Sequence, residues 1–425
     1  MDLPIDRRSW RRAVARVLLI ALLARGAVFV YALYDPDRFV YPDSRRYVAV
    51  ARNIAAGRGP IESDLVLCGN DPLYPALLSV GVRLGIESFE RIMDWGRGVN
   101  VVLGLAAIPA VMLLGRRAGG STGAIVAGLW LALDPVQLFF HGLALTEVAF
   151  ICALLWGSVF LLRAAEQAEP MAHRAARAAA AGAVLGLGAL TRSSSLLLPF
   201  LLLPMTLLVQ GSVAVPERRP PAIPRVALAA AFLAAYVLML VPTGWRNYRL
   251  LGQWVPVRTG GGATLLEGLG PWADGGPAWE RVAWPDYPPG ADELERDRLD
   301  RRKALDWARE NPDRALDLAW RKLRRTWSLT FHAPGYEGGA FRWIGWTTTL
   351  PVYLLAVAGA WRLRRDRRLL FLMLAPALYF SAVHCVFVGS VRYRVPFMPG
   401  LYVLAAAALA ALVTHTRRNR SRQIP

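Results

Sequence analysis

Apolar residues recur in blocks along most of the chain, and most blocks lack the polar stripe of a soluble amphipathic helix. A helix that crosses a bilayer needs about 20 mostly apolar residues. By that measure the pattern predicts about ten spans, at 13–33, 98–116, 121–139, 146–163, 176–190, 195–210, 226–243, 343–361, 369–388 and 396–414. Leu73–Ile86 is apolar but short and carries Arg83, so it is read as an interfacial helix. Pro42 with Asp43 or Ser44 as cap opens a helix that Gly57 closes. The long polar segment Gly244–Arg342 reads as loop in its front part, "RTGGGATLLEGLGPWADGGPAW". Its rear part, Ala291–Trp327, reads as one helix on or near the membrane, with an apolar face in "ENPDRALDLAWRKLRRTW".

Composition agrees with a membrane protein. Of 425 residues, 55% are hydrophobic and 19% charged. The net charge of +19 would suit a nucleic-acid binder, but its placement does not. Basic residues gather between apolar blocks, in "RRSWRR" (Arg7–Arg12), "GRR" (Gly115–Arg117), "PERRPPAIPR" (Pro216–Arg225), "WRLRRDRR" (Trp361–Arg368) and "RRNRSR" (Arg417–Arg422). If 73–86 does not cross, every cluster falls on the side of the N-terminus. The positive-inside rule then places both termini in the cytoplasm and leaves 34–97 and 244–342 outside. Cys68, Cys152 and Cys385 show no metal-binding or C-x-x-C spacing. The first span is too long for a signal-peptide core and is expected to remain.

Candidate chemistry gathers at the outer ends of the spans. In "VYPDSRRYVAVARNIAAGRGP" (Val40–Pro60), Asp43 is either a helix cap or a general base whose basicity partial desolvation raises. Arg45 and Arg46 either offset an anionic headgroup or snorkel. Glu147, in "HGLALTEVAF", opens a span with Thr146 as its cap, or holds a metal or an acceptor; His141 nearby does not complete a metal site. Arg192, Arg246, Arg392 and Arg394 are cations on the side where the positive-inside rule makes them scarce, which favours phosphate binding. Arg25 inside the first span follows the same logic or snorkels. Tyr47, Asn247 and Tyr393 stand beside these residues as sugar or acceptor contacts. The tryptophans of the large outer segment suit interface anchoring, or stacking on sugar faces. "TGGGATLLEGLG" does not sit in a βαβ unit, so no nucleotide fingerprint is assigned.

The order of "PDSRRYVAVARNIAAGRG", "DPLYPALLSVGVRLGI", "ALTE", "LGALTRSSSLLLP", "WRNYRLLGQWVPVRTGGG", "ENPDRALDLAWRKLRRTW" and "VRYRVPFMPGLYVLAAAAL" resembles the GT-C membrane glycosyltransferases. The family in question includes the dolichyl-phosphate-mannose protein mannosyltransferases and the lipid A aminoarabinose transferase. The resemblance implies transfer of a sugar from a polyprenyl-phosphate carrier to a lipid, glycan or protein acceptor on the outer face of a cell (inner) membrane. It maps the general base of an inverting displacement to Asp43, with the cationic helix ends on the departing phosphate. Ser44 stands where many relatives have a second acid, so a divalent metal is left open.

The expected architecture is therefore an all-α polytopic membrane protein. It has an N-terminal module (1–243) with the site in the first outer loop (34–97), an outer region (244–342), and C-terminal spans with a basic tail (343–425). The competing class is a transporter or flippase of a lipid-linked saccharide, which calls for mid-membrane charges and broken helices in repeated halves.

Overall fold

A computed structural model describes residues 7–166, 169–208, 222–332 and 338–422. All regular elements among them are helices, apart from one isolated bridge between Ser63 and Val66. The helices of the bundle are α1 (Arg7–Tyr34), α4 (Phe89–Leu133), α6 (Glu147–Ala164), α7 (Met171–Thr191), α8 (Leu198–Leu208), α9 (Ala222–Leu251), α14 (Leu350–Arg362), α15 (Arg367–Val386) and α16 (Met398–Arg422). Shorter elements lie between them: α2 (Pro42–Ala55), α3 (Leu73–Arg83), α5 (Pro135–Gly142), α10 (Gly261–Gly268), α11 (Glu293–Glu310), α12 (Pro312–Thr326) and α13 (Ala340–Ile344). Seven of the helical stretches are long and apolar enough to cross a membrane, with that of α13 and α14 joined through a π turn.

The predicted spans 98–116 and 121–139 are the two arms of α4. The chain reverses at Gly119 and Gly120, and Gly120 adopts φ 61°, ψ −149°, a conformation open to glycine. Gly115 and Gly123 then face each other so closely that a Cβ on Gly123 would stand 2.4 Å from the Gly115 carbonyl oxygen. The second arm stops at Leu133, short of the expected 139. Asp134 accepts the Val136 and Gln137 N–H groups at 2.8 and 3.0 Å and starts α5 as a separate helix.

One further expectation stands and two are refined. Helix α3 rises only about 16 Å over its length, about half a bilayer core. The front of the large polar segment contains helix α10, whose Gly262 N–H is received by Asp297 at 2.7 Å. Its rear part is two helices, because Pro312 cannot continue α11 and instead opens α12. The end of the span predicted at 195–210 and residues 216–221 of one basic cluster lie outside the described residues.

Side-chain contacts bring three of the basic clusters, Arg7–Arg12, Gly115–Arg117 and Trp361–Arg368, to one end of the bundle. Arg116 lies over the Trp10 ring, and Arg117 pairs with Asp366 at 2.9 Å. Arg174 and Arg368 donate to the carbonyls that end α6, Ala164 and Ala165. Helices α2, α3 and α10–α12 belong to the opposite end, where α6 begins. There α10 and α11 share a small apolar core of Leu265, Leu266, Leu269, Val282 and Ala304, flanked by Trp272, Trp284 and Trp307.

The main core is packed at backbone distance. A Cβ on Gly359 of α14 would stand 1.7 Å from the Leu404 carbonyl oxygen of α16, whereas one on Gly98 of α4 would meet nothing within 4 Å. Gly359→Ala is therefore expected to lose about 1–3 kcal/mol to overpacking, offset by about 1 kcal/mol of helix propensity. Gly98→Ala is expected to be neutral or stabilising. Thermal unfolding of both variants in detergent checks this; equal midpoints would show that α14 can move away at no cost.

Candidate active site

Asp43 lies in the first turn of α2. The N-cap of that helix is Tyr41, whose N–H is received by Ser44 Oγ at 3.4 Å. Ser44 thus serves the helix start, and Asp43 does not cap it. Gly57, at φ 78°, follows the last turn as expected.

The Asp43 carboxylate instead accepts from two arginines. Arg46 Nη2 reaches Oδ1 at 3.0 Å and Arg392 Nη1 reaches Oδ2 at 2.6 Å. The same Arg392 guanidinium donates through Nε to Glu147 Oε1, so it bridges two carboxylates 104 positions apart in sequence. Arg192 Nη1 joins the same Glu147 oxygen at 3.3 Å. Glu147 is wholly buried at the start of α6; Thr146 occupies the cap position but makes no side-chain cap bond. Arg392 also stacks over the Tyr41 ring at 4.9 Å.

The electrostatics differ from the expected raised basicity. Burial does push the Asp43 carboxyl up, but Arg392 and Arg46 outweigh it and hold the group below the usual carboxylate range. As it stands, Asp43 is an ionised partner of two guanidiniums. It gains basicity only when something else takes their charge.

Several polar atoms around this cluster are buried without a hydrogen-bond partner. Arg46 Nε, 4.0 Å from Glu62 Oε2, and Arg192 Nε are donors without a hydrogen-bond acceptor, and Glu147 Oε2 is an unused acceptor. His384 on α15 adds another: its Nδ1 meets the Val388 carbonyl at 3.0 Å, while Nε2 has no partner. The His384 ring lies flat on Tyr393, centroids 3.8 Å apart, and Arg192 stands 5.6 Å from the same Tyr393 ring. Burial pushes the Tyr393 phenol up to about 12. Tyr47 is buried one turn after Asp43, edge-on to Tyr74.

The other sequence candidates sit elsewhere. Arg45 is exposed on the outer face of α2. Arg246 grips the segment between α2 and α3, donating to the Leu67 carbonyl at 2.8 Å, and Asn247 closes the turn after α9 through the Val255 and Val257 carbonyls. Arg394 is buried among Ser328, Tyr353 and Thr349. Arg25 does not snorkel: it is buried and donates to the Leu131 and Ala132 carbonyls that end α4. His141 gives its Nδ1 to the Gln137 carbonyl and takes no part in the Glu147 cluster.

Residues not singled out in the sequence hold the site together. Glu293, at the start of α11, receives the Leu67 and Cys68 N–H groups at 2.9 and 3.1 Å and the Thr259 hydroxyl, tying the segment between α2 and α3 to the large polar segment. Asp71 accepts the Ser193 N–H at 3.1 Å, next to Arg192. Lys322 of α12 is buried and donates to the Val386 carbonyl at 2.7 Å, anchoring the segment that carries Arg392; burial pulls its ammonium down to about 8. Glu267 of α10 accepts the Ala278 N–H at 2.9 Å, and burial raises its carboxyl. A polar residue in an apolar span was a usable signal for His384; the clamps carried none, because their partners are backbone groups far away in sequence.

Among the described residues no three His, Cys, Asp or Glu side chains gather as a metal-holding group. The cation between Asp43 and Glu147 is Arg392 itself. That donor set does not fit a divalent ion as arranged, and no step is routed through one.

No protein-family model and no curated protein matches the chain. Solved structures do. The Archaeoglobus fulgidus oligosaccharyltransferase in its apo form aligns over 96% of this chain and 52% of its own, at 14% identity and a TM-score of 0.58. The archaeal enzyme from the same organism in complex with an inhibitory peptide and a dolichol-phosphate aligns over 99% and 52%, at 14% identity and a TM-score of 0.55. ArnT from Cupriavidus metallidurans bound to undecaprenyl phosphate aligns over 95% and 60%, at 17% identity and a TM-score of 0.45. The chain thus spans about half the length of the archaeal structures, and its helical fold is similar to theirs.

Proposed function

We propose that this protein is a membrane glycosyltransferase that takes a sugar from a polyprenyl-phosphate carrier and passes it to a lipid, glycan or protein acceptor. The observation that carries this reading is the Arg392 guanidinium shared between Asp43 and Glu147, flanked by the unused N–H donors of Arg46 and Arg192. Guanidinium groups with free donors at the end of a helical bundle suit a lipid phosphate. An archaeal structure of similar fold is in complex with a dolichol-phosphate, which supports the reading.

In the proposed reaction the donor phosphate engages Arg392, Arg192 and Arg46. Their charge is drawn from the carboxylates to the phosphate, so the basicity of Asp43 rises only when donor is present. Asp43 then takes the proton of the acceptor hydroxyl, whose oxygen attacks the anomeric carbon. The C–O bond to phosphate breaks with inversion, and the guanidiniums hold the departing polyprenyl phosphate. The end of the bundle that gathers basic clusters is assigned to the cytoplasm by the positive-inside rule, and the Asp43 end to the outside. Arg246, Arg394, Arg45 and Asn247 are not needed for this reading.

The test is transfer from a polyprenyl-phosphate sugar by the protein in nanodiscs, compared with Arg392→Lys. Lysine keeps one positive charge between the carboxylates but cannot bridge them. The variant is expected to raise the donor KM about 10- to 100-fold, the range for losing one charge-assisted hydrogen bond. An unchanged donor KM would remove the phosphate from this site.

A further inference from the structure

The unused polar atoms around the cluster fall into two chemical kinds. Arg46 Nε and Arg192 Nε are cationic donors, and the proposed phosphate accounts for them. Glu147 Oε2 and His384 Nε2 are acceptors, and a phosphate oxygen has no hydrogen to offer either. Both acceptor residues are more than nine-tenths buried: Glu147 is 0% exposed and His384 5%. A buried polar group without a partner costs about 1–3 kcal/mol, so two beside one cluster call for a ligand that donates.

The His384 acceptor is fixed by its surroundings. Burial beside the Arg192 cation favours the neutral ring, and since Val388 O is a carbonyl that only accepts, that ring carries its hydrogen on Nδ1 and leaves Nε2 as a lone pair. The ring cannot swing freely, because it is stacked on Tyr393 with an interplanar angle of 6° and lies nearly parallel to Phe380 as well. Tyr393 in turn lies under Arg192, the residue that pairs with Glu147. The acceptor set is thereby joined, through one ring, to the cations assigned to the phosphate.

We propose that His384 Nε2 and Glu147 Oε2 form a hydroxyl-reading subsite for the sugar ring of the donor, with His384 as a specificity residue. The subsite rests on the glycosyltransferase reading above and deepens it. Hydroxyl hydrogens of a sugar are of the chemical kind that satisfies either acceptor, whereas the ionised lipid phosphate satisfies neither. The site therefore distinguishes loaded carrier from spent carrier, which favours release of the polyprenyl phosphate after transfer.

The experiment measures binding of four probes to the full chain in nanodiscs: polyprenyl phosphate, and polyprenyl-phosphate mannose, glucose and arabinose. Wild type is compared with His384→Asn, whose amide keeps a donor toward Val388 O but does not reach the Nε2 position, and with His384→Gln, whose longer amide does. The expected result is that wild type holds at least one sugar-bearing probe more tightly than the bare phosphate. His384→Asn should erase that increment, about 3- to 10-fold for one neutral hydrogen bond. His384→Gln should restore part of it, and all three proteins should bind bare polyprenyl phosphate alike, which also shows that they are folded. If His384→Asn keeps the increment, or if wild type binds the bare phosphate but no sugar-bearing probe more tightly, the subsite is overturned while the phosphate reading stands. If wild type binds none of the four better than neutral polyprenol, the glycosyltransferase reading itself fails and the subsite with it.

Discussion

Asp43→Asn is expected to lower the transfer rate at saturating donor about 10²- to 10⁴-fold, the usual contribution of a general base, while donor affinity stays level or improves. The sign of the second effect separates two roles. Asp43 competes with the donor phosphate for Arg392 and Arg46, which it holds at 2.6 and 3.0 Å. Removing its charge leaves both guanidiniums freer for phosphate, so KM for the donor should not rise. If Asp43 only orients Arg392, the variant will instead lose donor affinity and keep most of its rate at saturation. Rates over a donor titration, with the amount of folded protein matched, decide between them. The same variant tests the electrostatics. The folded carboxyl lies below the ordinary value near 3.9, so its ion pairs contribute stability above about pH 4 that is lost as pH falls through the lower folded value. Asp43→Asn should flatten that part of the acid unfolding profile.

Glu147→Gln should cost stability more than any other change in the cluster. Glu147 is wholly buried and answers both Arg192 and Arg392 with one carboxylate oxygen. Glutamine keeps the shape and removes the charge, leaving guanidiniums buried against a neutral amide. Breaking a buried ion pair from one side typically costs about 3–5 kcal/mol, because the remaining charge stays desolvated. Thermal unfolding in detergent should show this as a clear fall in midpoint. Polyprenyl phosphate should then stabilise the variant more than the wild type, since the ligand supplies the missing negative charge. A midpoint equal to wild type would mean that water reaches these arginines, and the buried cluster would lose its energetic basis.

Neighbouring residues show how far a pattern can be read. Arg45 and Arg46 are indistinguishable in the sequence, yet about 100° of helical rotation puts Arg45 outward and Arg46 on Asp43. Arg192 and Arg246 both follow a predicted span in the sequence, although α9 runs on past Arg246 to Leu251. Arg192 turns inward to Glu147, while Arg246 meets the Leu67 carbonyl first and is used there as a clamp. Arg392 and Arg394 lie two residues apart in one short turn, and they reach different partners, Glu147 and Ser328.

The sequence by itself determined what depends on local composition. Apolar runs set the helical, membrane-crossing class, because a span is decided by its own length and hydrophobicity. The sequence also marked Asp43, Glu147, Arg192 and Arg392 as charges at helix ends where charge is costly. Only the tertiary structure decided which of these charges meet. Arg392 lies 349 positions from Asp43 and 245 from Glu147, and their pairing depends on how α2, α6 and the turn before α16 pack at one end of the bundle. It also decided the sign of the field at Asp43, since burial and two guanidiniums act in opposite directions and only their distances show which prevails. Helix identity is a property of neighbouring residues, whereas the charge state of a site is a sum over groups that the chain brings together from far apart.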